Sequence, residues 1–413
     1  MDATATTTNN NFLETAWNIG THLMRTSIWH HKSCTWQGYS FEPLNGTYQP
    51  VIKTFGPDVY SGTSGIALFL MALYSERKDP ILLKTIEGSI EQVRSTMNQA
   101  SNHGFYAGKP GIAATLIKLG AALDKEEWVK EGLELLESIP TDSLQSYEID
   151  IISGAAGTIP VLLDAYAVFE KQELLDKAIA LGNLLCSAAV KNDTIWSWAT
   201  VPSQKNLTGF SHGSSGIALA LLQLHQVTGN PSFLEASEGG FNYERQSFDS
   251  SQQNWPDFRD DVISGSAGNI CGLAWCHGAP GITISRLKAN QLYPNTVFAN
   301  EMKIALTTTA NSVYHGLVEN LSNTNYSICH GIAGNADIML DCGGIEYQQL
   351  AEAVGNAGIS KYQDNNIPWS TGLNSGQYTP GLMMGIAGTG YFYLRLLNKD
   401  KHKSVLVPAL GLS

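Results

Sequence analysis

Charge is scarce in this sequence. Charged residues fill 15% of the 413 positions, against roughly 25% in an average domain. Apolar residues reach 43%, so extended disorder, which needs high net charge and few apolar residues, is excluded for most of the chain. Basic residues are scarcer still: 25 Lys and Arg stand against 37 Asp and Glu, a net charge of −12. No basic stripe offsets this, and nucleic acid is therefore not an expected partner. Long apolar runs are also missing. The longest, Gly65 to Tyr74, falls well short of the ~20 residues of a membrane span, so no membrane insertion is expected. The first ten residues, MDATATTTNN, lack the apolar stretch of a secretion signal and read as a flexible tail. Six cysteines are too few for a disulfide scaffold, which makes a reducing cytoplasm the default location.

Glycine is what the sequence has in excess, with 40 residues. Many fall in a recurring Gly-x-x-Gly pair whose first members are Gly62, Gly108, Gly154, Gly213, Gly278, Gly331 and Gly385, spaced 46 to 65 residues apart. Such a period marks a repeat architecture. A stray copy at Gly265 and Gly268 is out of phase. After nearly every pair comes an apolar run, such as IALFLMAL after Gly65 or IALALLQL after Gly216, which reads as a helix buried on most faces. Between the pairs lie amphipathic segments of helical period, at 11–27, 80–98, 126–138, 173–190, 232–245, 300–317 and 346–358. The repeat unit is read as an outer amphipathic helix, a loop, the glycine turn and an inner helix. Seven units predict an all-α fold, an α/α toroid of seven inner and seven outer helices, formed as one domain over residues 1–413. An open solenoid would need polar end repeats, and the end repeats here are not polar. Short strands are admitted in the gaps, as at TIWSWATV, 194–201.

The glycines themselves are explained by tight turns and close packing. Chemistry lies in front of them. The residue before each first glycine is Ser61, Ala107, Ser153, His212, His277, His330 or Met384, and the one before that is Tyr60, Tyr106, Ile152, Ser211, Cys276, Cys329 or Met383. Three of the chain's 10 histidines and two of its 6 cysteines thus share one phase, and equal phases point to one rim. Cys276, Cys329 and His330 offer two sulfurs and an imidazole, a good set for one zinc ion per chain, with the fourth position open as in catalytic sites. His212 and His277 become acid/base or supporting groups, since histidine titrates near neutrality. Asp150, four residues before Gly154, could orient a histidine. Cys34, Cys186, Cys271 and Cys342 read as small hydrophobes. The cluster HHKSC, with His30, His31 and Cys34, is out of phase and reads as surface or packing residues.

The motifs WCHGAPG (275–281), ICHGIAG (328–334), GFSHGSSGIALALL (209–222) and PGLMMGIAG (380–388) resemble those of the LanC family of lanthionine synthetase cyclases. The resemblance spans nearly the whole chain, in order. It implies the α/α toroid, zinc ligands at Cys276, Cys329 and His330, an acid/base histidine at His212 and a functional aspartate at Asp150. It further implies catalysis of ring closure, in which a peptide cysteine adds to dehydroalanine or dehydrobutyrine and His212 or His277 protonates the product. The substrate would be a dehydrated precursor peptide, with a separate dehydratase and an exporter as further partners. WCHGAPG and YERQSFDSSQQNWPD (243–257) are closest to the cyclase domain of class II synthetases. No dehydratase sequence precedes them, which implies a free-standing cyclase or an excised domain. An arginine of nisin-type enzymes is replaced by Gly272. Two alternatives stay open: addition of glutathione or another free thiol to dehydrated peptides, and a non-catalytic zinc-containing scaffold.

Overall fold

The computed structural model describes residues 3–44, 47–201, 205–259, 270–373 and 377–412. Fourteen α-helices lie among them. Seven follow the glycine pairs: Thr63–Glu76, Lys109–Ala122, Ala155–Phe169, Ser214–Thr228, Ala279–Leu292, Ile332–Cys342 and Ile386–Leu397. They are buried nearly all round; every residue from Ile386 to Leu396 is buried. The other seven are Ala3–Thr26, Pro80–Thr96, Glu126–Glu137, Gln172–Ala188, Pro231–Gln246, Thr296–Val318 and Ile345–Gly358. In Glu126–Glu137 the buried positions Trp128, Gly132, Leu133, Leu135 and Leu136 form a single stripe, as helical period requires. Two of these helices start on strong caps. Asp79 accepts the Ile81 and Leu82 amides ahead of Pro80, and Asn230 accepts the Ser232 amide ahead of Pro231. The first helix begins at Ala3, inside the segment read as a tail. The stray glycines Gly265 and Gly268 lie outside the described residues.

The chain divides into two compact units, Met1–Ala100 with Val313–Ser404, and Ser101–Ser312 with Val405–Ser413. Within each, an amphipathic helix packs against the buried helix that precedes it: Pro80–Thr96 on Thr63–Glu76, Glu126–Glu137 on Lys109–Ala122, Pro231–Gln246 on Ser214–Thr228. This differs from the unit read in the sequence, which paired each amphipathic helix with the buried helix after it. Connection length is the reason. Only Arg77–Asp79, Leu123–Lys125 or Gly229–Asn230 separates these partners, and so short a link forces antiparallel neighbours. In the first unit Ile386–Leu397 packs against both Thr63–Glu76 and Ile332–Cys342, and Ala3–Thr26 covers it. The last buried helix is thus a neighbour of the first.

Among the described residues, three antiparallel hairpins decorate the long loops: Ile28–His30 with Ser33–Thr35, Gln37–Leu44 with Thr47–Thr54, and Val190–Asn192 with Ile195–Ser197. The last contains the strand admitted at 194–201. In the first, His30 and His31 are exposed at the turn and Cys34 is buried beneath it, with burial pushing its thiol up to about 12. HHKSC is accordingly a surface turn over a packing cysteine.

Each first glycine of a pair is the residue capping the start of its buried helix. The second is constrained by contact. At Gly65, Gly157, Gly216, Gly281, Gly334 and Gly388, a Cβ would lie within 3.0 Å of the carbonyl oxygen six residues earlier. The loop before each helix therefore rests directly on glycine. Gly216→Ala should force the Phe210 carbonyl away and cost roughly 1–3 kcal/mol. Urea unfolding measures this, and an unchanged midpoint would contradict the packing.

Candidate functional site

The loops ahead of the buried helices are stitched to one another by backbone hydrogen bonds at one phase. In the second unit, Tyr106 N–H donates to Ile152 O at 3.1 Å, Ile151 N–H to Ser211 O at 3.1 Å, and Ser211 N–H to Cys276 O at 3.3 Å. In the first, Cys329 N–H donates to Met383 O at 3.0 Å and Met383 N–H to Tyr60 O at 2.9 Å. These are the positions two before the glycine, or their immediate neighbour. The shared phase read from the sequence is thus a physical ladder within each unit. Asp150, His212, Cys276 and His277 belong to the second unit, Cys329 and His330 to the first, and each group is described within its own unit.

Asp150 is buried, and its two carboxylate oxygens do different work. Oδ1 accepts the Ser153 amide at 2.7 Å, which closes the turn. Oδ2 meets Nδ1 of His212 at 2.5 Å. Asp58 occupies the same place before Gly62 and accepts the Ser61 amide at 2.8 Å; the difference that matters is the His212 imidazole on the second oxygen of Asp150. Burial opposes a charge on His212. The hydrogen bond and charge of Asp150, with a contribution from Cys276, outweigh burial and raise its pKa above the ordinary 6.5. About a third of the His212 side chain is accessible, so the imidazole can reach solute.

His277 behaves in the opposite way. Its ring lies 6.0 Å from that of His212 but is buried, 2% exposed, with Nδ1 3.8 Å from Asp257 Oδ1. Burial, then the charge of Arg259, hold it below the usual histidine range, against a smaller pull from Asp257. Asp257 itself is buried, which favours its neutral form, yet the two-toothed contact from Arg259 (Nη2 to Oδ2 at 2.6 Å, Nε to Oδ1 at 3.0 Å) keeps it lowered. Sequence reading missed Asp257 and Arg259 because both fall outside the repeat phase. It also found glycine at 272 in place of an arginine. A Cβ there would lie 2.8 Å from the His277 carbonyl oxygen, so this turn excludes a side chain at that position.

In the first unit Cys329 is buried, and its sulfur lies 3.0 Å from the Tyr60 hydroxyl. Tyr60 is a further residue whose contact the sequence did not disclose. His330 contacts the Gly372 carbonyl through Nε2 at 2.8 Å. A carbonyl only accepts, so Nε2 is the donor in this contact, and carbonyl partners of this kind commonly orient a metal-binding imidazole. Among the described residues no three His, Cys, Asp or Glu side chains stand together as a metal-holding group. Burial raises the thiols of Cys186 and Cys271 to about 11, in keeping with packing residues rather than nucleophiles. No helix among the described residues is long and apolar enough to cross a membrane.

Residues 54–409 match the family model "Lanthionine synthetase C-like protein", and the chain belongs to that family. Among curated relatives, the lacticin 481/lactococcin biosynthesis protein LcnDR2 of Lactococcus lactis subsp. lactis is 26% identical over 87% of this chain. The matched region spans only 38% of that relative's length. The nisin biosynthesis protein NisC of the same organism is 23% identical, over 67% of this chain and 72% of its own. The glutathione S-transferase LANCL1 of Danio rerio is also 23% identical, over 67% of each chain. Nisin cyclase is a structural neighbour, with a TM-score of 0.62 at 20% identity, covering 86% of this chain and 91% of that one. The likeness establishes the fold class as the all-α, α/α toroid.

The Asp150–His212 pair makes a signed pH prediction. A histidine whose folded pKa is raised stabilises the fold fully below its unfolded value near 6.5. That contribution is lost as pH rises through the folded value. An NMR titration of the His212 ring should therefore give a midpoint above 6.5 in the native chain, falling in Asp150→Asn. A wild-type midpoint at or below 6.5 would contradict the pairing.

Proposed function

We propose that this protein is a zinc-dependent lanthipeptide cyclase. It adds peptide cysteine thiols to dehydroalanine or dehydrobutyrine in the same peptide and so forms lanthionine or methyllanthionine rings. One observation carries the reading: a carboxylate-held, partly accessible histidine, His212, in a loop hydrogen-bonded to the Cys276–His277 turn, in a chain of the lanthionine synthetase C-like family. The names of two relatives, a lacticin 481 and a nisin biosynthesis protein, support a precursor peptide as substrate.

Zinc ligation, one ion per chain, is assigned to Cys276, Cys329 and His330. The donor chemistry supports it: His330 Nε2 is oriented by the Gly372 carbonyl, which leaves Nδ1 as the nitrogen for a metal when the ring is neutral, and two sulfurs with one nitrogen suit zinc. Such an ion would bind the substrate thiol and favour its thiolate at neutral pH. The remaining work falls to the chain's own side chains. As sulfur bonds to Cβ, the alkene electron pair moves to Cα as an enolate, and Cα must then take a proton. The thiol has released one, so the reaction conserves mass. His212 is the carrier of that proton. Asp150 fixes Nδ1–H, leaves Nε2 to exchange, and raises the basicity so that the imidazolium exists near neutral pH. His277, held neutral by burial and by Arg259, is the poorer proton source; its part is to shape the turn beside Cys276. A cytoplasmic location, and a dehydratase and an exporter as working partners, complete the proposal.

His212→Ala should leave zinc content unchanged and slow ring formation by roughly 10²-fold or more. Thiol counting and mass spectrometry measure it, and near-normal rates would move the proton transfer elsewhere. A second reading has one specific support, the relative named a glutathione S-transferase: addition of a free thiol to a dehydrated peptide. Effective concentration favours the intramolecular thiol. With a dehydrated, cysteine-containing peptide and excess glutathione, cyclisation removes peptide thiols at constant mass. Dominant glutathione adducts with free peptide thiols would overturn the cyclase assignment.

A further inference from the structure

One buried carboxyl has no place in the chemistry above. Glu244, in Pro231–Gln246, has no exposed surface. Its Oε1 accepts two amides, Gly209 N–H at 3.0 Å and Ser215 N–H at 2.8 Å. These residues bracket His212, one on either side of its loop. Oε2 has no partner among the described residues. Ser215 is gripped a second time, because Arg286 Nη1 donates to its hydroxyl at 2.9 Å. Arg286 lies in the helix that follows the Cys276–His277 motif and is anchored to Glu301 at 2.6 Å. Gly209 in turn has φ of +98°, and a Cβ there would come within 2.8 Å of the Cys276 carbonyl oxygen.

We propose that Glu244 is the positioning residue for His212: it clamps both ends of the His212 loop from an amphipathic helix behind the site, and through Gly209 it sets that loop against the Cys276–His277 turn. An ordinary helix cap needs one amide acceptor at the helix start. Glu244 also takes the Gly209 amide, six residues earlier and on the far side of the imidazole. The clamp is geometric and does not need a charge, because a neutral carboxyl or an amide oxygen accepts the same two bonds. Burial agrees with this, holding the acid toward its neutral form with a pKa raised to about 8, against the opposing charge of Arg286. Its effect on turnover rests on the cyclase reading; its effect on the imidazole does not.

Two variants test it. Glu244→Gln keeps the acceptor and the reach. Glu244→Asp keeps the carboxyl but withdraws it by one methylene. NMR of the ¹⁵N-labelled His212 ring, identified by its loss in His212→Gln, reports the Asp150 contact without any turnover. The Gln variant should match the wild type, and the Asp variant should lose the Nδ1–H signature while its far-ultraviolet circular dichroism is retained. In cyclisation, the Asp variant should lose kcat by roughly 10²-fold, as a misplacement of ~1 Å can cost, with KM held within about twofold. An Asp variant with a wild-type His212 signal would overturn the proposal, as would a Gln variant that loses that signal. If the wild type forms no rings at all, the cyclase reading falls while the ring spectra still decide the role of Glu244.

Discussion

The motif loops of this protein lie against glycine, and everything chemical in them depends on that contact. A carbonyl seated over Gly157, Gly216, Gly281 or Gly334 brings its loop close to the helix that follows. Only then do neighbouring loops come within reach of one another, so that Ile151 bonds Ser211 and Ser211 bonds Cys276. Each such bond adds about 1 kcal/mol net, but an amide left unpaired there would cost about 1–3 kcal/mol. The ladder is therefore fixed chiefly by the penalty for breaking it. A single methyl group on the glycine floor would break it from below.

Once the loops are registered, side chains at equal phase acquire different roles from their immediate surroundings. Asp58 and Asp150 close the same turn, yet Asp150 also holds an imidazole. His212 and His277 both precede a glycine, yet one is partly accessible with a raised pKa and the other is buried with a lowered one. The difference is local: a carboxylate on Nδ1 in one case, and burial with Arg259 nearby in the other. Two histidines of opposite character give the proposed cyclase a proton carrier and a neutral neighbour that does not compete for the same proton.

Much of this was legible in the sequence because the repeat writes its geometry into glycine spacing. The segment read as 80–98 is Pro80–Thr96, and the one read as 126–138 is Glu126–Glu137. Phase points to His212 and His277, and the place four residues before Gly154 to Asp150; all three lie in one unit. What phase cannot carry was missed. The partner of each amphipathic helix follows from loop length in space, not from order in the repeat. Glu244 sits in FNYERQ, where a charge on an amphipathic helix reads as solvent-facing. Asp257 and Arg259 arrive from an aperiodic loop, and the hairpin Gln37–Leu44 with Thr47–Thr54 carries little alternation to announce it.

X-ray absorption at the zinc edge of the purified, metal-loaded chain tests the central claim most directly. The account predicts one zinc with two sulfur donors near ~2.3 Å and one imidazole nitrogen at ~2.0–2.1 Å, leaving room for a single further ligand. A shell of oxygen and nitrogen alone, or a chain that takes up no zinc, would contradict it.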